Sequence, residues 1–246
     1  MTPNITLYDI ASSLPETTFS PNVAKAKYVL DLKGIPYKTI WVEYPEIAPL
    51  CKKIGAKATK ELSAVAPYTC PIIHDASTGA IISDSFEIAR YLDSTYPETP
   101  RIIPEGTTAF HYAFIAAFEA KLAPLVTYAL PATLLILNAA SQEYFARTKA
   151  ISEFGGMPLK EVFPPPGSER DLAVWKDFQA MLDGYDAWMA EEDKFFMGDT
   201  LSFADVTFAG WLYWVRLVLS KEKWADIESW NGGRWARLMK EFAKYE

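Results

Sequence analysis

Apolar and polar positions divide the chain into two regimes. Over the first hundred residues the pattern keeps changing period. Ile5 to Ile10 reads as a strand, and the following loop, Ala11 to Phe19, is polar and contains Pro15. Ser20-Pro21 then opens a helix, with Ser as N-cap and Pro at the first helical position. Val23, Ala26 and Leu30 share one face of it, and Gly34 stops it. Tyr37 to Glu43 alternates like a half-buried strand, and Glu46 to Ile54 is a short helix ended by Gly55. Pro71 to Asp75 forms a strand opened by proline, which cannot donate to a sheet ladder and so marks a strand's first residue or an edge. A Ser-Thr-Gly turn, a second strand, and a helix running from Asp84 to about Ser94 follow.

This βαβαββα order is that of a thioredoxin-like domain whose first connection is a right-handed βαβ unit. Pro97, Pro100, Pro104 and Gly106 interrupt the pattern, so Tyr96 to Gly106 reads as a linker. Domains are therefore expected at 1–98 and 107–246. Everything after the linker has helical spacing: Ala109 to Tyr128 as one helix, a second stretch from Pro131 through about Arg147, then Glu169–Glu191, Ser202–Leu219 and Ser229–Tyr245. The Gly- and Pro-rich run from Gly155 to Gly167 is expected to be irregular. Ser202 and Asp205 form an S-x-x-D capping box, and Leu201 and Val206 are spaced to close over it as a staple. The expected fold class is α/β plus all-α, a thioredoxin-like domain followed by a helical bundle.

Composition narrows the function. Net charge is −7 with Lys and Arg scattered, which argues against nucleic acid or an anionic membrane surface as partner. The longest apolar run, Tyr128 to Ala140, is broken by Pro131 and Asn138 and is too short to span a bilayer. Met1-Thr2-Pro3-Asn4 lacks the basic start of a secretory signal, so a cytoplasmic location is expected. Cys51 and Cys70 have no metal-ligand spacing, and two histidines make no His-rich site, so no metal is expected. Eight Trp leave material for an aromatic pocket as well as a core.

The densest chemistry lies in Tyr68-Thr69-Cys70-Pro71-Ile72-Ile73-His74-Asp75 and Ser83-Asp84-Ser85-Phe86-Glu87. A proline at this place is a candidate for a cis peptide. Asp84-Ser85 offers a carboxylate, a hydroxyl and free backbone N–H groups at a helix start, which suits a ligand carrying both an ammonium and a carboxylate. This arrangement resembles the glutathione site of the glutathione transferase superfamily. Carried over, Cys70 and Pro71 would hold the peptide backbone of glutathione, and Asp84 and Ser85 its γ-glutamyl head. The stretch Leu50–Thr59 and the run through Tyr96-Pro97-Glu98-Thr99-Pro100 look like the etherase-related branch, which includes bacterial β-aryl ether cleaving enzymes and their fungal relatives. Cys70 is a departure, because an aliphatic residue is commoner before that proline.

The resemblance places the reactive group at the start of the first helix. Phe19-Ser20-Pro21-Asn22 occupies that position. Serine forms no disulfide, but it can donate a hydrogen bond to a thiolate. A free thiol with a pKa of ~8.5 is only a few per cent ionised at neutral pH. Lowering it by two units takes about 2.7 kcal/mol, which one charge-assisted hydrogen bond plus a helix N-terminus can supply. Ser20 is thus the candidate catalytic residue, with Ser12, Ser13, Thr17 and Thr18 as rivals in the same loop. Lys52, Lys53 and Lys57 lie where a cation could meet the glycyl carboxylate.

A second substrate would bind against the first long helix of the C-terminal half, where His111, Tyr112 and Ile115 are candidates to line the pocket. Trp211 and Trp214 are expected in the core. The resemblance implies glutathione as co-substrate, small aromatic molecules as ligands and a homodimer. Conjugation, hydroperoxide reduction, aryl ether thiolysis and passive carriage of polyphenols all stay open.

Overall fold

β1 (Ile5–Ile10) is buried along its whole length because it is an inner strand with both faces covered. In the computed structural model, which describes residues 4–59 and 65–246, the sheet order is β2-β1-β3-β4. Met1–Pro3, the start of the stretch read above against a secretory signal, lie outside the described residues. β2 (Tyr37–Val42) runs parallel to β1 with Ile5 opposite Tyr37 and Ile10 opposite Val42. β3 (Ile72–Asp75) is antiparallel to β1, and β4 (Ala80–Ser83) is antiparallel to β3. The parallel pair needs a crossover, which α1 (Pro21–Leu32) provides. α2 (Ile47–Ile54) ends on Gly55, whose φ of 79° is the left-handed conformation a helix C-cap requires. α3 (Ser85–Thr95) returns beside α1 and completes the thioredoxin-like domain.

The helical domain comprises α4 (Thr108–Glu119), α5 (Ala123–Thr133), α6 (Ala139–Phe154), α7 (Leu159–Val162), α8 (Glu169–Asp186), α9 (Phe203–Val218), α10 (Lys221–Ser229) and α11 (Arg234–Phe242). Several boundaries differ from the sequence reading. The helix expected over Ala109–Tyr128 is two helices bent by 72°. Pro124 is the cause: it has no N–H for the carbonyl of Ala120, and its ring would clash there, so it begins a new helix instead. Pro131 lies inside α5 rather than before a helix. α8 stops at Asp186, five residues short of the expected end. The 155–167 segment contains the single turn of α7. α10 was not foreseen; Ser220 caps it by accepting from the Lys223 N–H at 3.3 Å. No single helix among the described residues is long and apolar enough to cross a membrane.

Two contacts among those that join the halves bear on the site. Asp93, 5% exposed, accepts from Lys33 Nζ at 2.8 Å and from the backbone N–H groups of Ile102 and Ile103. The carbonyl of Ile102 in turn accepts from Phe203 N, so the linker is tied to the start of α9. The second contact is a close crossing of α1 and α9 at Gly210. A Cβ there would lie 2.8 Å from the Pro21 carbonyl oxygen and 3.0 Å from Lys25 Cγ. Backbone cannot yield cheaply to such a contact. Gly210→Ala is therefore expected to cost about 1–3 kcal/mol, the usual range for overpacking. A denaturant melt checks this; an unchanged midpoint would mean the helices separate without cost.

Candidate active site

The site begins where β1 runs out. Asp9 in β1 is wholly buried, and it accepts from Thr18 Oγ1 at 2.5 Å and from the Ile10 N–H at 2.6 Å. The Thr18 bond anchors the end of the loop three residues before α1. Burial pushes the Asp9 carboxyl up to about 7, against the pull of the Thr18 and Ile10 hydrogen bonds and of Lys27. An acid raised in the folded state binds a proton that the unfolded chain has already lost. Stability contributed by Asp9 is therefore expected to fall as pH rises from about 4 to about 7. Asp205, raised by burial to about 6, adds the same sign over the lower part of that window. Asp9→Asn should flatten the upper part of the Tm–pH curve; parallel curves for the two proteins would contradict it.

Ser20 follows, extended at φ −65° and ψ 125°, and 5% exposed. Its carbonyl accepts the first helical bond, from Ala24 N at 2.8 Å. Its hydroxyl makes no capping bond. Pro21 at the first helical position has no N–H to cap. The side chain instead lines a cavity of about 880 Å³ between the sheet's edge and the helical domain. The rival hydroxyls are engaged elsewhere: Ser13 with Ile136 O, Thr17 with Pro15 O, Thr18 with Asp9 and Ser12 with the Leu14 backbone. None of the four lines the cavity.

Cys70, Pro71, Asp84 and Ser85 line the same cavity as Ser20. The Cys70–Pro71 peptide is cis. Burial pushes the Cys70 thiol far up, so its side chain is no nucleophile. Asp84 has a φ of 78°, a conformation that costs a non-glycine residue and marks sites held for a purpose. Its Oδ1 caps α3 by accepting from Phe86 N at 2.8 Å and Glu87 N at 3.2 Å. The cap leaves out Ser85, whose buried side chain faces the cavity. Lys57 lines the cavity, whereas Lys52 and Lys53 do not.

The far wall is built by the helical domain. Tyr112, Ile115 and Glu119, at helical spacing on α4, line it together with Phe145 from α6 and Trp211 and Trp214 from α9. Tyr112 stands at the rim, 47% exposed, donating to Glu87 Oε1 at 2.6 Å and accepting from Arg90 at 3.1 Å. His111 does not line the cavity. One residue from Tyr112 is a turn of about 100° on a helix, and this carries His111 into the core. It is 3% exposed, stacked on Phe86, with Nδ1 3.0 Å from the Thr107 carbonyl. Trp214 lies in the core as expected, 3% exposed with Nε1 donating to Thr133 Oγ1 at 2.9 Å, and Trp211 is half-buried against that core; both also border the cavity. Lys25, unnoticed in the sequence, also lines the cavity. Its signal was a lysine, one of two with Lys27, inside the otherwise apolar run Val23 to Leu30. Among the described residues no cluster of His, Cys, Asp and Glu could hold a metal ion.

The arrangement provides an unspent hydroxyl at a helix N-terminus, a capped Asp-Ser pair beside it and an aromatic wall opposite. Comparison with known proteins identifies the family. Residues 19–95 match the family model of the glutathione S-transferase N-terminal domain, and residues 109–245 match that of the C-terminal domain. Two glutathione S-transferases of Ceriporiopsis subvermispora, each solved in complex with glutathione, have closely similar structures. The first is 46% identical with a TM-score of 0.89, covering 98% of this chain and 97% of its own. The second is 39% identical with a TM-score of 0.92, covering 99% and 100%. The glutathione S-transferase-like protein ustS of Aspergillus flavus is 32% identical over 94% of this chain and 87% of its own length. With both domains matched and relatives aligned along nearly the whole chain, the protein belongs to the glutathione S-transferase family.

Proposed function

We propose that the chain binds glutathione across Cys70, Pro71, Asp84 and Ser85 and ionises its thiol with Ser20 for reaction with small aromatic electrophiles. The observation that carries this reading is the Ser20 hydroxyl, buried, free of any capping bond and facing the cavity those four residues line. Bound there, the glutathione sulfur would accept a hydrogen bond from Ser20 Oγ near the N-terminal dipole of α1, and both effects favour the thiolate. The thiolate then attacks an electrophile seated against Tyr112 and Trp211, whose flat rings suit stacking. In the etherase-like reading the electrophile is an aryl ether. The sulfur–carbon bond forms as the carbon–oxygen bond breaks, and the phenolate departs and takes up a proton from solvent. A homodimer and a cytoplasmic location belong to the same proposal.

A carrier of hydroxylated aromatics with little turnover is the second reading, favoured by the tryptophans on the cavity wall. A thermal-shift titration with glutathione, repeated with phenols, separates the two. A ligand that binds the native state alone raises Tm by mass action, about 2.7 kcal/mol of stabilisation at a hundredfold excess over Kd. A glutathione shift together with turnover of an aromatic electrophile is expected. Shifts with phenols and none with glutathione would overturn the enzyme reading in favour of the carrier.

A further inference from the structure

Buried cations elsewhere in the molecule have partners. Lys33, 3% exposed, meets Asp93 at 2.8 Å, and Arg234, 8% exposed, meets Asp186 at 2.5 Å. Lys25 is as deeply buried, at 4% exposed, yet no carboxylate among the described residues reaches ion-pair distance of its ammonium, and it donates no hydrogen bond to them. Burial pushes its ammonium below the ordinary lysine value. Asp84 first and Glu119 second, both on the wall of the same cavity, pull it back up from longer range. A buried charge without a close partner is expensive, and folds keep one where a ligand completes the set.

The stem of Lys25 is held in place. α9 passes so close at Gly210 that even a methyl group there would meet Lys25 Cγ at 3.0 Å. With its stem wedged between α1 and α9, the side chain ends at the cavity it lines. Asp84, on the same wall, spends Oδ1 on the α3 cap and has a second carboxylate oxygen. Lys25 and Asp84 therefore offer opposite charges to one space. That is the requirement of an amino-acid head, which presents an ammonium and a carboxylate on a single carbon.

We propose that Lys25 is a specificity-determining residue of the glutathione site, the counter-charge for the α-carboxylate of the γ-glutamyl end, while Asp84 meets the neighbouring ammonium. This inference rests on the glutathione reading given above. It differs from that reading in assigning the carboxylate to a buried cation on α1 as well as to Ser85.

Binding of two peptides to wild type and to Lys25→Met tests it: glutathione, and its analogue with 4-aminobutanoate in place of the γ-glutamyl group, which lacks only that carboxylate. Wild type should prefer glutathione. In Lys25→Met the glutathione affinity should fall roughly 10- to 100-fold, the loss of one charge-assisted hydrogen bond. Affinity for the analogue should hold, so the preference collapses. Ligand-free Lys25→Met should melt no lower than wild type, because the variant removes an unmatched buried charge. If it fails to fold, Lys25→Gln, which keeps most of the stem, takes its place in the same comparison. A variant that keeps the wild-type preference, or loses both peptides equally, overturns the role of Lys25 while leaving glutathione binding intact. Wild type that binds neither peptide overturns this inference and the glutathione reading together.

Discussion

Ser20→Ala should lower glutathione-dependent turnover by roughly 10- to 150-fold while leaving the folded protein almost as stable as before. The first half follows from the size of a hydrogen bond to a charged acceptor, about 1.5–3 kcal/mol, expressed on the thiolate that reacts. The second half follows from what the hydroxyl does in the fold. An N-cap serine replaced by alanine costs about 1 kcal/mol, but Ser20 makes no side-chain capping bond. A change within about 0.5 kcal/mol is expected instead. The two halves must appear together. Turnover measured at saturating glutathione, beside a denaturant melt, reads both. A large stability loss with unchanged turnover would return Ser20 to the role of an ordinary cap and pass catalysis to another group.

Asp205→Ala has the largest expected effect on stability, although Asp205 does not line the cavity. Asp205 is wholly buried and accepts from Ser202 N at 2.8 Å, Ser202 Oγ at 3.1 Å and Phe196 N at 2.8 Å. With Ser202 it closes a capping box at the start of α9, the helix that crosses α1 at Gly210 and carries Trp211 and Trp214. Removing the carboxylate strands buried donors that water cannot reach, each costing about 1–3 kcal/mol. A total of about 3–5 kcal/mol lowers Tm by roughly 6–20 °C in a chain of this size. Asp205→Asn keeps the shape and one acceptor oxygen and should lose less. Calorimetry of the two variants checks the order. Equal and small losses would mean that packing alone holds the start of α9.

What could be read in the sequence was local. The cis candidate at Pro71, the Asp84 cap, the S-x-x-D box and the serine before Pro21 depend on residues a few positions apart, and the fold keeps them together. Pro124 was equally local but lay inside an apolar run whose period outweighed it. The helical domain was harder because each helix buries a face chosen by its neighbours. His111 and Tyr112 are adjacent in the chain, yet only Tyr112 faces the cavity. Whether a tryptophan on α9 ends in core or pocket depends on how α6 and α9 pack, and no spacing along one helix encodes that. Lys25 belongs to the same class. Its meaning comes from Gly210, almost two hundred residues away, and from the cavity wall opposite.

The ionisation of the bound glutathione thiol, followed by its thiolate absorbance as pH is raised, tests the central claim most directly. In wild type the bound thiol should titrate about two units below the free value of ~8.5, and in Ser20→Ala it should return most of the way. Glutathione that binds wild type with an unshifted thiol, or a shift that survives Ser20→Ala, would contradict the assignment of Ser20 as the residue that makes the thiolate.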